Sequence, residues 1–292
     1  MFEDMEYMQP ETIEALESCL ASMTPKSRIL AGGTDLIVKM REKNLETDKI
    51  ISLCMLKELQ EIQIENGWLK IGSMVTHTMA EESPLVQKYF PALRDACSHV
   101  GSRQIRNKGT LGGNLCNASP AGDMLPCMYL YDAEVEIMDA KGRMRRCSIT
   151  DFLDEKGRST LLAGELLLAM YLPVRETQKS CFIKLGSRRE VTIAQISLCA
   201  AWENENLKIC MGAVDLHPVV IAGFCTAFEL MHNPEIRPNL AEELEGIIRN
   251  IRLKRGRPPR LKITEAEQLY KERAVKGVVW DLAERMKFFD GL

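Results

Sequence analysis

The stretch Gly109-Thr110-Leu111-Gly112-Gly113-Asn114-Leu115-Cys116-Asn117-Ala118-Ser119-Pro120-Ala121-Gly122-Asp123 decides the reading of this chain. Some eighty residues earlier stands a shorter counterpart, Ile29-Leu30-Ala31-Gly32-Gly33-Thr34-Asp35-Leu36. Each sets a glycine pair beside a hydroxyl residue at the end of an apolar run. A backbone approaches a phosphate closely only where Cβ atoms are absent, and its free N–H groups then serve as anion donors. Two such loops, one in each half of a domain, suit a ligand with two phosphates.

Around these strings the pattern is that of a large globular chain. At 292 residues the length suggests two domains. Hydrophobic residues make up 46% and charged residues 27%, which needs no disulfide or metal staple to fold. A net charge of −3 gives no bulk attraction to nucleic acid or to an anionic membrane. No apolar run approaches the roughly 20 residues that span a bilayer. The acidic start Met1-Phe2-Glu3-Asp4 lacks the basic segment of a secretory signal, so a cytoplasmic location is expected. The ten cysteines never stand at the Cys-x-x-Cys spacing of zinc or iron–sulfur sites, and reduced core thiols are expected.

Ile13, Leu16 and Leu20 predict an early amphipathic helix after Pro10. Lys26 to Ala31 reads as a strand entering the first glycine string, and Thr34 and Asp35 suit the cap of a helix through Met40. Ile50 to Leu53 is a short strand. Asn66-Gly67 and Lys141-Gly142 mark two hairpins, with strands at Ile62–Ile71 and Glu134–Ile149. Residues 84–100 read as helix restarted at Pro91, residues 122–131 as a short helix, and Leu166–Leu172 as a strand. Three antiparallel strands follow, Cys181–Leu185, Ile193–Trp202 and Leu207–Val214, then helical patterns at 222–232, 239–251 and 264–287. That order is an α+β arrangement.

The strings resemble those of the FAD-binding subunit of the molybdenum hydroxylases, the family of xanthine dehydrogenase and carbon monoxide dehydrogenase. The resemblance covers nearly the whole chain and extends to Gly164-Glu165-Leu166-Leu167, Phe182-Ile183-Lys184, Ser187-Arg188-Arg189-Glu190 and Tyr270-Lys271. It implies a two-subdomain FAD-binding domain of the vanillyl-alcohol oxidase (PCMH) type over residues 1–176, with a subdomain boundary near 55–60. A smaller domain with a three-stranded antiparallel sheet and helices would fill 177–292. It also implies FAD held without a covalent link by Ile29, Leu30, Ala31, Gly32, Gly33, Thr34, Asp35, Leu36, Val100, Thr110, Leu111, Gly112, Gly113, Asn114, Ser119, Asp123, Leu167 and Lys184. In that pattern the glycines and hydroxyls hold the pyrophosphate, the aspartate binds on the ribose side, and the lysine lies beside the isoalloxazine. Molybdopterin and two [2Fe–2S] clusters would sit on partner subunits. Electrons would pass from those clusters to FAD and on to NAD(P) or another acceptor, with no general base and no metal site on this chain. Val191-Thr192 departs from the acidic or polar residues that commonly follow Arg-Arg-Glu, which leaves the acceptor open.

Blander readings stand beside these. Either glycine string alone is also a plain turn, and Lys184 alone a surface lysine. The spacing Gly109-x-x-Gly112-Gly113 is not the Gly-x-Gly-x-x-Gly fingerprint and does not open a helix after a first βα turn. A free-standing flavin reductase of the enolpyruvyl-sugar type would need Asn-Ala-Gly-Ala-Tyr-Gly after the second string, which is absent. A scaffold with a vestigial flavin site is the non-enzymatic alternative. The basic run Arg252, Lys254, Arg255, Arg257, Arg260 and Lys262 reads as a solvated linker rather than a minor-groove hook. His77, His99, His217 and His232 show no ligand spacing and are expected to be structural.

Overall fold

The computed structural model describes residues 5–42, 45–188, 190–255 and 265–290. The basic run is thus covered only in part: residues 256–264 lie outside the described residues, as does Arg189.

Three sheets follow one another along the chain. In the first, strands β1 (Glu6–Met8) and β2 (Arg28–Leu30) each pair in parallel with β3 (Lys49–Ser52). Helix α1 (Ile13–Ala21) forms the first crossover. Thr12 caps it by accepting from the Ala15 amide, and Leu16, Cys19 and Leu20 share its buried face. Helix α2 (Leu36–Glu42) forms the second crossover.

The second sheet is antiparallel. It contains β4 (Ile62–Glu65), β5 (Trp68–Gly72), β6 (Glu134–Met138), β7 (Met144–Ser148) and β8 (Leu166–Pro173), in the order β4-β5-β8-β6-β7. Asn66 and Gly67 both take positive φ, 50° and 80°, as the two-residue hairpin turn requires. Between β5 and β6 lies a helical layer: α3 (His77–Glu82), α4 (Pro84–Tyr89), α5 (Pro91–Ser98), α6 (Arg103–Arg106), α7 (Leu111–Asn117) and α8 (Met124–Leu130). Pro91 opens α5 at its first turn, where its missing N–H costs nothing.

The third sheet corrects an expectation. It has four strands, β9 (Lys179–Gly186), β10 (Ala194–Glu203), β11 (Asn206–Gly212) and β12 (Val219–Ala222), in the order β12-β11-β10-β9, where three were expected. The fourth is a four-residue edge strand between Pro218 and Gly223, too short to show an alternating pattern. Its last residue is where the sequence pattern starts a helix, whereas α9 (Ala227–His232) begins five residues later at a Thr226–Glu229 capping box. Helices α10 (Ile236–Arg255) and α11 (Glu265–Asp290) complete the chain.

A second correction matters more for function. The Thr110–Asn114 string is not an open loop. Thr110 caps α7 by accepting from the Gly113 amide, and both glycines lie in the first turn of that helix. Helix α6 rather than a strand precedes it. Glycine disfavours a helix by about 1 kcal/mol, but contact overrides propensity here: a Cβ on Gly112 would lie 2.5 Å from the Ser73 Cβ and 2.6 Å from its carbonyl oxygen.

The third sheet is buried on both faces. Phe182, Cys199, Ala201 and Cys210 join the core of the helical layer, with Leu93, Leu115 and Met128. Cys181, Leu198, Ala200 and Trp202, one residue out of phase, pack with Leu244, Val279 and Leu282 of α10 and α11. All ten cysteines are free; six are buried as expected of core thiols, whereas Cys116, Cys147 and Cys225 are half-buried and Cys54 is exposed. No described helix is long and apolar enough to cross a membrane.

These glycine environments give opposite expectations. Gly112→Ala should cost about 1–3 kcal/mol by overpacking. Gly246→Ala, in α10 with nothing within 4 Å of its Cβ, should gain up to about 1 kcal/mol from helix propensity. Urea unfolding of the two variants checks both signs.

Candidate functional site

The first glycine string links β2 to α2. A Cβ on Gly32 would fall 1.8 Å from the Lys108 carbonyl oxygen and 3.0 Å from the Gly109 Cα, so the two strings meet backbone against backbone. Gly33 has φ +73°, a left-handed conformation that disfavours any side chain. Among the described residues, the amides of Gly32, Gly33 and Thr34 make no hydrogen bond to the chain. They are the free donors that the sequence led us to expect.

The second string differs. The Leu111 amide donates to the Val75 carbonyl at 2.9 Å and the Gly112 amide to that of Ser73 at 3.0 Å. The Gly113 amide donates to the Thr110 Oγ1 at 3.0 Å and the Asn114 amide to the Thr110 carbonyl at 2.9 Å. This string supplies a close-packed wall, and its amides from Leu111 to Asn114 are spoken for. The expectation of two equivalent donor loops is corrected on that ground.

Between the strings lies a cavity of about 420 Å³. Ile29, Ala31, Gly32, Gly33, Thr34, Asp35 and Leu36 line one side, and Thr110, Gly112, Gly113 and Asn114 the other. Val100 and Leu167 close it. Five expected residues lie elsewhere. Leu30 is the half-buried last residue of β2, its side chain beside Gly33, and Leu111 is fully buried in core. Ser119 sits in the turn after α7, where the Gly122 amide closes onto its carbonyl. Asp123 and Lys184 meet each other. Lys184 is not a surface lysine: its side chain is 4% exposed and that of Asp123 6%.

The Lys184 amine donates to Asp123 Oδ2 at 2.5 Å and to the His99 carbonyl at 3.0 Å. It borders a second cavity of about 540 Å³, with His99, Gly101, Arg103, Arg106 and Arg188. Val100 thus faces the first cavity while its two neighbours face the second. Asp123 Oδ1 is buried and has no partner among the described residues. Burial pushes the Asp123 carboxyl up to about 6, against the opposing pull of Lys184. A half-satisfied buried carboxylate is costly, and its open oxygen is a natural place for a ligand hydroxyl.

Sequence reasoning missed several groups. Lys39 is the cation among the described residues of the first cavity wall. It pairs with Asp35 at 2.5 Å and donates to Asn117 Oδ1 at 2.8 Å, bridging α2 to α7. The Asp35–Lys39 spacing of four residues was legible; the reach to Asn117 was not. His77, expected to be structural, also lines the cavity. Its amide donates to the Gly109 carbonyl at 3.0 Å and its Nδ1 has no partner among the described residues. Burial, with Arg106 adding to it, pulls its pKa down to about 4, so the ring is neutral at physiological pH. Cys116 lines the wall too, and burial pushes its thiol up to about 12, so it is no thiolate nucleophile near neutrality. What remains is a long cleft with free amides, one lysine and apolar walls, suited to hold an extended anion rather than to attack one.

Known proteins agree. Residues 2–175, more than half of the chain, match the family described as the FAD binding domain in molybdopterin dehydrogenase. The nicotinate dehydrogenase FAD-subunit of Eubacterium barkeri is 34% identical over 215 residues, covering 72% of this chain and 72% of that one. The putative xanthine dehydrogenase FAD-binding subunit of Escherichia coli K12 is 34% identical over 204 residues, 69% of each. In fold, the chain superposes on reconstituted CO dehydrogenase from Oligotropha carboxidovorans with a TM-score of 0.81 at 21% identity, covering 98% of both chains. Quinoline 2-oxidoreductase from Pseudomonas putida 86 gives 0.79 at 24% identity, covering 97% of this chain and 98% of that one. Its glycine strings, its mixed α+β architecture and these relatives agree that this chain belongs to the family of FAD-binding subunits of the molybdopterin dehydrogenases.

Proposed function

We propose that this chain holds FAD without a covalent link in the cleft between its glycine strings and serves as the electron-transfer subunit of a multisubunit molybdenum hydroxylase. The observation that carries the proposal is the set of free Gly32–Thr34 amides lining the cleft; the unpartnered Asp123 Oδ1, beyond that lining, is a second group. The amides and Lys39 suit a diphosphate, and Asp123 Oδ1 suits a sugar or ribityl hydroxyl. The second string contributes shape, since a Cβ on Gly113 would already meet Thr110 Oγ1 at 2.9 Å. When bound, FAD supplies exchange between one-electron and two-electron carriers. The chain's own part is to bind, orient and exclude water. Lys184 and His77 add fixed charge and a fixed neutral ring, and no side chain here is assigned the task of a general base.

In this reading molybdopterin and [2Fe–2S] clusters sit on partner subunits, and NAD(P) or another acceptor takes the electrons. The second cavity, with Lys184, Arg103 and Arg188 at its rim, supports an anionic acceptor. The domain division at 176/177 draws support from the family match ending at residue 175. The subdomain boundary near 55–60 falls between the parallel sheet of β1, β2 and β3 and the antiparallel sheet that starts at β4. A cytoplasmic location belongs to the same reading.

Acid precipitation of the purified yellow chain should release all of its flavin, because the Cys116 thiol is held protonated. Colour left in the pellet would contradict this. FAD affinity should also depend on pH. Asp123 accepts a hydrogen bond from a ligand hydroxyl more strongly as a carboxylate than as the neutral acid, so affinity should fall as pH drops through about 6, by at most about tenfold per pH unit below that. For the cofactor-free chain the sign is reversed. A raised folded-state pKa favours the protonated form, and stability should decline as pH rises through about 6. Fluorescence titration of FAD from pH 5 to 8, with Asp123→Asn as the pH-insensitive control, checks the first.

Lys184→Met gives a third test. An isolated unit charge about 4 Å away is worth about 4 kcal/mol at an effective dielectric of 20. Here the cation is paired, and without it Asp123 should take up a proton, leaving the net charge of the site near zero. The flavin potential should therefore move only slightly while the pH dependence of FAD binding shifts upward. A redox titration showing a drop worth the full unit charge would mean that Lys184 acts on the ring alone.

A further inference from the structure

Tyr270 and Lys271 stand on α11, far along the chain from either glycine string, and they differ in setting. Tyr270 is half exposed, whereas Lys271 is 4% exposed. Burying an amine is costly unless it is hydrogen-bonded. The Lys271 amine donates to the carbonyl of Ala213 at 2.5 Å, just past the end of β11. Burial pulls its pKa down to about 8, with Glu267 opposing, so it stays largely charged near neutrality.

Ala213 is itself unusual, a non-glycine residue with φ +65°. That backbone conformation is costly for an L-residue and persists only where its surroundings hold it. Its amide donates to the Pro120 carbonyl at 3.2 Å. Pro120 belongs to the turn that the Gly122 amide closes onto Ser119, and Asp123 follows directly. One residue before Ala213, a Cβ on Gly212 would lie 2.9 Å from the Pro126 ring in the first turn of α8. The corner at 212–213 thus touches the chain three residues before Asp123 and three residues after it.

We infer that Lys271 is a positioning residue for the flavin site: its ammonium fixes the Ala213 corner, which in turn fixes the Asp123 turn from outside. A helix of the C-terminal region thereby sets the geometry of a buried carboxylate of the N-terminal region. The inference rests on the reading that Asp123 meets FAD.

The test uses the full chain, with Lys271→Met and Lys271→Arg, the arginine keeping a charged donor at the same place. Wild type is titrated with FAD first. Lys271→Met should raise the FAD dissociation constant about tenfold, the ratio matching loss of one charge-assisted hydrogen bond. It should also speed hydrogen exchange in a peptide covering 119–123 and alter the visible circular dichroism of bound flavin. Lys271→Arg should recover most of these changes. A lowered melting temperature with unchanged FAD affinity and unchanged exchange at 119–123 would overturn the inference and leave Lys271 a purely structural residue. Should Lys271→Met fail to fold, Lys271→Gln, which keeps an uncharged donor, is read by the same criteria. A wild-type chain that takes up no FAD would overturn the cofactor reading itself, and this inference with it.

Discussion

The buried contact between Lys184 and Asp123 is a point at which the third sheet is pinned to the helical layer. Lys184 comes from β9, Asp123 from the head of α8, and the second acceptor of the lysine, the His99 carbonyl, from the end of α5. Such a pair adds little net stability, because desolvation nearly cancels attraction, but losing either member leaves an uncompensated charge. Its effect is to fix geometry. Any displacement of the third sheet against the helical layer would part the two groups in a region where water cannot replace either one. The carboxylate oxygen left open is therefore held at a defined place, as a binding group requires.

The two glycine strings look alike in sequence and divide the work differently. In both, glycine is required by close approach: Gly32 against the backbone of Lys108, and Gly112 against Ser73. The first string keeps its Gly32, Gly33 and Thr34 amides free among the described residues. The second spends its Leu111 to Asn114 amides on Val75, Ser73 and its own Thr110 cap. One string is thus the donor and the other the wall that holds it in place. A ligand lying between them would meet hydrogen-bond donors on one side and, on the other, a close-packed helix start whose wall also carries Thr110, Asn114 and Asn117.

Much of this was legible in the residues. Asn66-Gly67 demanded its hairpin, Pro91 its helix restart, and the apolar spacing of Leu16 and Leu20 its helix, because those signals are local. The string Leu111–Asn114 misled because its helix is imposed by contact with Ser73 and Val75, which propensity cannot register. Strand β12 was missed because four residues cannot show a period, and because its pairing with β11 is what makes it a strand. Thirteen of the eighteen expected site residues line the first cavity; of the rest, Asp123 and Lys184 were identified singly. Their union was invisible, since sixty-one residues separate them. Lys39 and His77 escaped for a related reason: each belongs to the site through a neighbour from another segment.

The third sheet explains why the C-terminal region is more than an appendage. Its strands carry apolar residues on both faces, so it cannot be solvated on either side. One face completes the core beneath α5 and α8, and the other seats α10 and α11. An element buried twice over transmits position well, because close-packed side chains leave no slack between its two faces. Lys184 reaches Asp123 from one edge strand of this sheet, and the Ala213 corner reaches the turn before Asp123 from the end of β11. This carboxylate, which lies beyond the cavity lining, is thus gripped by a sheet whose own position is set by the helices behind it. The free amides of the cleft are backed by the second string, and the carboxylate by the region beyond it.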